Sequence, residues 1–214
     1  MTVDVEQVRT ELIEFGSLSI QFDDRVLRPR RWTTAQSAWA SALLRSAPDG
    51  PVLEVCAGVG HIGLLAMVGQ SRPLVLVDSS QVACDHAAAN VERAGLACPV
   101  DIRCGRMEDL LADEEKFALI IADPPWVRSD DTDDHEGDPP HAIDGGTDGL
   151  DLVRTCVEII GGHLADGGSA VLQVGTVEQV AAVSDYVADH PELVLHLAEH
   201  RSYEGQGVLV HLTR

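Results

Sequence analysis

From residue 51 onward, short apolar runs alternate with stretches of helical spacing. The runs lie at 51–56 (PVLEVC), 74–77 (LVLV), 100–104, 117–122 (FALIIA) and 169–174 (SAVLQV). Apolar positions at helical intervals occupy 61–69, 80–94, 148–165 and 176–189. Strands that are apolar throughout, separated by helices, predict a parallel sheet covered on both faces. Two later runs, 192–198 (ELVLHLA) and 207–212 (GVLVHL), stand eight residues apart. That gap is too short for a crossover helix, so the pair predicts a C-terminal antiparallel hairpin. The expected fold is α/β, with seven strands in a mostly parallel sheet.

Ahead of residue 51 the pattern is less regular. Val5, Val8, Leu12, Ile13 and Phe15 recur at roughly helical spacing and predict a short opening helix. Residues 15–27 then alternate through Leu18, Ile20 and Phe22 and pass an Asp23-Asp24 turn, as in a small hairpin. Thr33 or Thr34 can cap a helix carrying Ala38, Trp39, Ala42 and Leu43, which Pro48-Asp49-Gly50 ends. Residues 1–50 are therefore expected to pack as helix, hairpin and helix on a core of 51–214. The 214 residues suffice for one structural domain overall.

Charge narrows the partners. Fifteen Lys and Arg face 35 Asp and Glu, a formal charge of −20, and Lys116 is the only lysine. Bare nucleic acid is disfavoured, because gripping a phosphate backbone rests on a basic face. With 45% hydrophobic residues the chain is not of the disordered class. No apolar stretch reaches the roughly 18 residues of a membrane span, and the N-terminus lacks the order of a signal peptide. Cys56, Cys84, Cys98, Cys104 and Cys156 form no Cys-x-x-Cys and no zinc-like quartet, so they read as core residues of a reducing, cytoplasmic protein without a metal.

The candidate chemistry begins at Glu54-Val55-Cys56-Ala57-Gly58-Val59-Gly60-His61-Ile62-Gly63, which runs from strand into helix. Gly58 and Gly60 permit a tight turn against which a ligand can lie on bare backbone. Nucleotide dehydrogenases share this spacing. Glu54 would repel a pyrophosphate but suits the cationic amine of a methionine moiety. Asp78 ends the next strand, where a carboxylate can accept from both ribose hydroxyls. No Tyr–Lys proton relay is available for a dehydrogenase, since Tyr186 has no lysine four residues later.

A second turn follows the fourth run, at Asp123-Pro124-Pro125-Trp126. Two prolines cannot continue a ladder, so the chain leaves the sheet over the crevice where such folds bind ligands. The Asp123 carboxylate and the carbonyl beside Pro124 suit an NH2 group on an sp2 carbon, in a carboxamide or a nucleobase. Accepting its protons aims the nitrogen lone pair at an electrophilic methyl, and Trp126 offers a stacking wall.

These motifs resemble those of the class I S-adenosylmethionine-dependent methyltransferases, and more narrowly the HemK-like, release-factor glutamine N5-methyltransferase type. Residues 26–34 (VLRPRRWTT) resemble the family's V-L-I-P-R-P-E-T-E, and residues 54–63 its D-x-G-T-G-S-G-x-I, with Glu54 and Cys56 as variants. Asp123-Pro124-Pro125-Trp126 stands where the family has N-P-P-Y, and residues 142–151 (AIDGGTDGLD) closely resemble its A-L-D-G-G-x-D-G-L-D. The resemblance implies a Rossmann-like fold and S-adenosyl-L-methionine as cofactor. It implies a cradle of Glu54, Gly58 and Gly60, with Asp78 on the ribose, Ser79 and Met107 near the adenine, and Thr33 lining the cofactor pocket. Asp123, Pro124, Pro125 and Trp126 would hold the acceptor nitrogen. Bacterial members carry an N-terminal helical domain that helps dock the release factor; here about 14 residues precede the matching region. D-P-P-Y and D-P-P-W turns also occur in enzymes that methylate exocyclic amines of nucleobases.

Nine carboxylates fall within residues 128–151, against one cation, Arg128. They are expected to overhang the acceptor pocket, either as a lid recruiting a basic protein such as a release factor or as a solvated loop. His135 and His141, in the same segment, read as exposed polar residues. The sequence reading is an N-methyltransferase acting on a protein glutamine. Its alternatives are a nucleobase amine or small molecule as acceptor, or a non-catalytic S-adenosylmethionine-binding subunit.

Overall fold

The computed structural model describes residues 9–214. Among them, strands β1 (Glu11–Phe15) and β2 (Leu18–Phe22) form an antiparallel hairpin. Seven others build one sheet: β3 (Val52–Val55), β4 (Leu74–Asp78), β5 (Val100–Cys104), β6 (Phe117–Ala122), β7 (Leu164–Val174), β8 (His196–Tyr203) and β9 (Gly207–Thr213). Their order is β5-β4-β3-β6-β7-β9-β8. The first five run parallel, and β9 is antiparallel to both β7 and β8. This is the seven-stranded, mostly parallel sheet with a C-terminal hairpin that the apolar runs predict.

Every residue of β3 and β6 is buried, which is why these strands carry no alternation. Helices α1 (Thr34–Leu43), α2 (His61–Ala66) and α3 (Gln81–Ala94) cover one face together with the hairpin, around Phe15, Trp39, Leu64 and Leu76. Helices α6 (Asp151–His163) and α7 (Val177–Asp189) cover the other, around Val55, Ile120, Cys156 and Leu172. Short turns of helix, α4 (Met107–Leu110) and α5 (Pro140–Ile143), follow β5 and precede α6. Each large side chain removed from water here stabilises the fold by roughly 1.5–3 kcal/mol.

Three details correct the sequence reading. Leu12, Ile13 and Phe15 belong to a strand, not a helix; the opening helix's Val5 and Val8 lie outside the described residues. The hairpin reverses at Gly16, in the left-handed region at φ +59°, rather than at Asp23-Asp24. Asp23 instead pins the hairpin to α3: its buried carboxylate accepts from Arg25 at 2.6 Å and meets His86 Nε2 at 2.9 Å. The eighth strand begins at His196 instead of 192, because Pro191–Leu193 turns as a 3-10 helix and Val194 takes φ +54°. Thr33 does precede α1, but its hydroxyl donates to the Arg30 carbonyl at 2.9 Å and caps nothing.

The order of β3 and β6 sets the site. The chain winds one way from β3 through β4 to β5, then returns to start β6 on the other side of β3. The carboxyl ends of β3 and β6 therefore diverge, which opens a crevice.

Candidate active site

Two neighbouring cavities occupy that crevice. The larger, about 280 Å3, is lined by Gly58, Asp78, Ser79, Met107 and Leu152, among others. It lies near the lower end of the ~300–1,000 Å3 typical of small-molecule sites. The smaller, about 40 Å3, is lined by Arg30, Thr33, Pro124, Trp126 and Gln173. Asp123, Pro125, His61 and Ala142 border both.

The glycine turn shapes the larger cavity. Gly58 takes φ +53°, and a Cβ placed on it would meet nothing within 4 Å. Its N–H donates to Asp78 Oδ2 at 2.7 Å, while Asp78 Oδ1 accepts from Ser80 N–H at 2.9 Å. Each carboxylate oxygen keeps a lone pair free. Burial raises the Asp78 pKa, and these N–H donors oppose the rise. An open cradle over Gly58 with a fixed acceptor pair beside it fits a nucleoside whose ribose hydroxyls need partners. Gly60 serves packing: at φ +78°, its Cβ would come within 3.0 Å of Leu76.

Glu54 lies behind this cavity, not on its wall. The carboxylate is 1% exposed and accepts from Gly63 N–H at 3.0 Å. Burial lifts its pKa well above the usual carboxylate range. It holds the start of α2 against β3 and thereby fixes the turn. Thr33 is likewise displaced from its expected place, lining the smaller cleft rather than the larger cavity. Cys56 borders the larger cavity at φ +53°, in the left-handed conformation that suits the glycine of the resembled motif.

The second turn forms the wall between the cavities. Asp123 follows the last residue of β6, and its pKa is pushed up to about 7 by burial, with Arg30 opposing. Trp126 packs its ring against Gly175, where any Cβ would collide with it. Gln179 fastens this arrangement: its Nε2 donates to the Trp126 carbonyl at 2.9 Å and its Oε1 accepts from Gly175 N–H at 2.7 Å.

The AIDGGTDGLD stretch backs the same turn. Val127 N–H donates to the Ile143 carbonyl at 3.0 Å, and Gly145 N–H to the Val127 carbonyl at 2.8 Å. A Cβ on Gly145 would sit 2.8 Å from the Pro125 carbonyl, and one on Gly149 would strike that of Trp126. These glycines allow backbone to stack on backbone behind Asp123. The later part of the acidic segment is tied down, while Asp130, Asp131, Asp133 and Asp134 form an exposed turn of 3-10 helix. Asp138 pairs with Arg30 at 2.5 Å, Asp144 accepts from Ser129 and Gly146, and Asp148 pairs with Arg154. His141 is exposed and borders the larger cavity.

Four contributors escaped the sequence reading: His61, Arg30, Gln173 and Gln179. His61 directly follows the glycine turn, and Arg30 lies in the proline–arginine stretch, so both had a positional signal. His61 Nδ1 is buried without a partner, and burial lowers its pKa to about 4. The two glutamines carried none.

Residues 52–134 match the family model described as "Methyltransferase domain". The matched stretch holds the glycine turn, Asp78 and the Asp123-Pro124-Pro125-Trp126 turn. The chain is similar to the release factor glutamine methyltransferase of Mycolicibacterium smegmatis, at 27% identity over 82% of this chain and 63% of the relative. It is also similar to the ribosomal protein uL3 glutamine methyltransferase of Bradyrhizobium diazoefficiens, at 31% identity over 72% of this chain and 48% of the relative. The chain thus spans about three-fifths of the release-factor enzyme and half of the uL3 enzyme. A methyltransferase from Pyrococcus furiosus shares the fold, with a TM-score of 0.66 at 16% identity over 92% of this chain and 89% of that one. No helix of the described residues is long and apolar enough to cross a membrane.

Proposed function

We propose that this chain methylates a planar NH2 nitrogen, that of a protein glutamine side chain, using S-adenosylmethionine. Asp123 carries the reading: a half-buried carboxylate on a proline-fixed turn, bordering both cavities. Gly58 and Asp78 would hold the nucleoside end of the cofactor, with Ser79 and Met107 alongside. When bound, S-adenosylmethionine supplies an electrophilic methyl group.

The acceptor amide enters the smaller cleft, against Pro124 and Trp126. Asp123 accepts one of its N–H bonds and draws the nitrogen lone pair out of conjugation with the carbonyl. As the new N–C bond forms, the nitrogen sheds one proton, which the Asp123 carboxylate takes. A carboxyl with a pKa near 7 suits that transfer at neutral pH. Positioning supplies most of the rate, because the reaction needs little else once nitrogen and methyl are aligned.

The acidic surface favours a basic protein as partner. The relatives are named for two protein acceptors, a release factor and ribosomal protein uL3. Calorimetry with S-adenosylmethionine and S-adenosylhomocysteine, followed by labelled methyl transfer into protein, RNA and small-molecule fractions, tests the reading. Label in protein glutamine is expected. Label confined to RNA or small molecules overturns the acceptor, and binding without transfer to any pool leaves a non-catalytic subunit.

A further inference from the structure

Among the residues lining the smaller cleft, Gln173 stands out. It is 3% exposed, yet its Oε1 has no hydrogen-bond partner. Buried amides in folded proteins are nearly always paired, and the exceptions mark places where a ligand or water completes the bond. Gln179, nearby, uses both ends of its amide on main-chain groups. Gln36 also leaves its Oε1 unpaired, but its Nε2 bridges the Ala122 and Val171 carbonyls at 3.1 Å each, and it borders neither cavity.

The sheet register explains where Gln173 points. β6 and β7 pair Ile121 with Val171 and Ala122 with Leu172. Extending that register one step past the end of β6 brings Asp123 next to Gln173, and both line the smaller cleft. Side chains alternate along a strand, so both residues share the face of Ile121 and Val171, the face that α1 covers. The two side chains thus enter one cleft from adjacent strand ends.

We propose that Gln173 is a second acceptor-holding residue, pairing its side-chain amide edge to edge with the planar primary amide of the substrate. Gln173 Oε1 accepts the N–H on the same side as the substrate oxygen, and Nε2 donates to that oxygen. The remaining N–H goes to Asp123. Together the two residues satisfy the whole edge of a primary amide and fix its plane against Trp126. This inference rests on the proposed function.

The test compares Gln173→Met, which keeps volume and removes the hydrogen bonds, with Gln173→Glu. Each is assayed with S-adenosylmethionine and a full-length bacterial release factor as acceptor. For Gln173→Met, KM for the acceptor should rise ~10-fold or more, with S-adenosylhomocysteine affinity within about twofold of the native chain. Asp123 titrates in the native chain and in the variant alike, so Gln173→Glu is read as a ratio to the native chain. That ratio of acceptor affinities should rise as pH falls, because a protonated carboxyl both donates and accepts as an amide does. A ratio that stays flat with pH overturns the inference. An acceptor KM unchanged within about twofold in Gln173→Met, or an equal loss of cofactor affinity, overturns the inference. Should Gln173→Met not fold, the pH trend of Gln173→Glu decides alone. If the native chain labels some other acceptor instead, the proposed function fails, and the role of Gln173 is judged on that acceptor's KM.

Discussion

Gly175 lies so close under the Trp126 ring that a methyl group on it would stand 2.6 Å from Cζ3. The absence of a side chain on β7's exit thus sets the height of the aromatic wall beside Asp123. Gly175→Ala should push the indole into the cleft. The expected result is at least a ~10-fold loss in kcat/KM, with stability lowered by about 1–3 kcal/mol of overpacking. Cofactor affinity should not change, since Trp126 does not border the larger cavity. Calorimetry beside steady-state kinetics checks both halves.

Asp78 couples the glycine turn to the cavity floor through Gly58 and Ser80. Asp78→Ala should weaken S-adenosylhomocysteine binding by ~10-fold or more, through loss of two ribose contacts and relaxation of the turn. Titration calorimetry reads this directly. Unchanged affinity would remove Asp78 from the cofactor site.

Asp123 should make both rate and stability depend on pH. Its folded pKa, about 7, lies above its ordinary 3.8. The folded chain therefore holds a proton that the unfolded chain releases, and this contribution is full below 3.8 and lost as pH rises through 7. Activity should rise over the same upper range, as the carboxylate that accepts N–H forms. Asp123→Asn keeps an acceptor oxygen but cannot ionise. It should retain measurable turnover while losing the rise between about pH 5.5 and 8.5. A rate profile of the variant parallel to that of the native chain would exclude Asp123 as the titrating group.

Asp23 has the opposite sign. Its hydrogen bond from Arg25, reinforced by His86, depresses its pKa well below the usual carboxylate range. The stability it contributes is present above its ordinary 3.8 and lost as pH falls through the depressed folded value. Asp23→Ala should cost about 1–3 kcal/mol by denaturant titration at neutral pH and flatten the acid limb of the stability curve. Cofactor affinity should stay the same.

The central strands were legible because burial on both faces writes them as unbroken apolar runs. Errors gathered at the edges. In β1 only Phe15 is buried, and β8 (HLAEHRSY) is almost wholly exposed. With so little surface against the core, neither carries a periodic signal, and the more apolar 192–195 drew the strand assignment away from its true start.

In the site, Gly58, Asp78 and Asp123 were readable because each sits at the end of a legible strand. The purpose of the 142–151 stretch was not. Its glycines are dictated by the carbonyls of Pro125 and Trp126, more than fifteen positions earlier, and nothing local in the sequence announces them. Gln173 was hidden for a related reason: its neighbour is set by sheet register, fifty residues away along the chain.

Asp123 as a common boundary of both cavities has a consequence for redesign. Space for a bulkier alkyl donor cannot be cut at that wall without trimming the pocket for the group being alkylated. The nucleoside end is different: around Ser79, Met107 and Leu152 the larger cavity has walls that the smaller does not share. Variants that change recognition of the donor's nucleoside and variants that change acceptor choice should thus fall on separate positions, whereas a bulkier alkyl group and a new acceptor have to be accommodated together at Asp123.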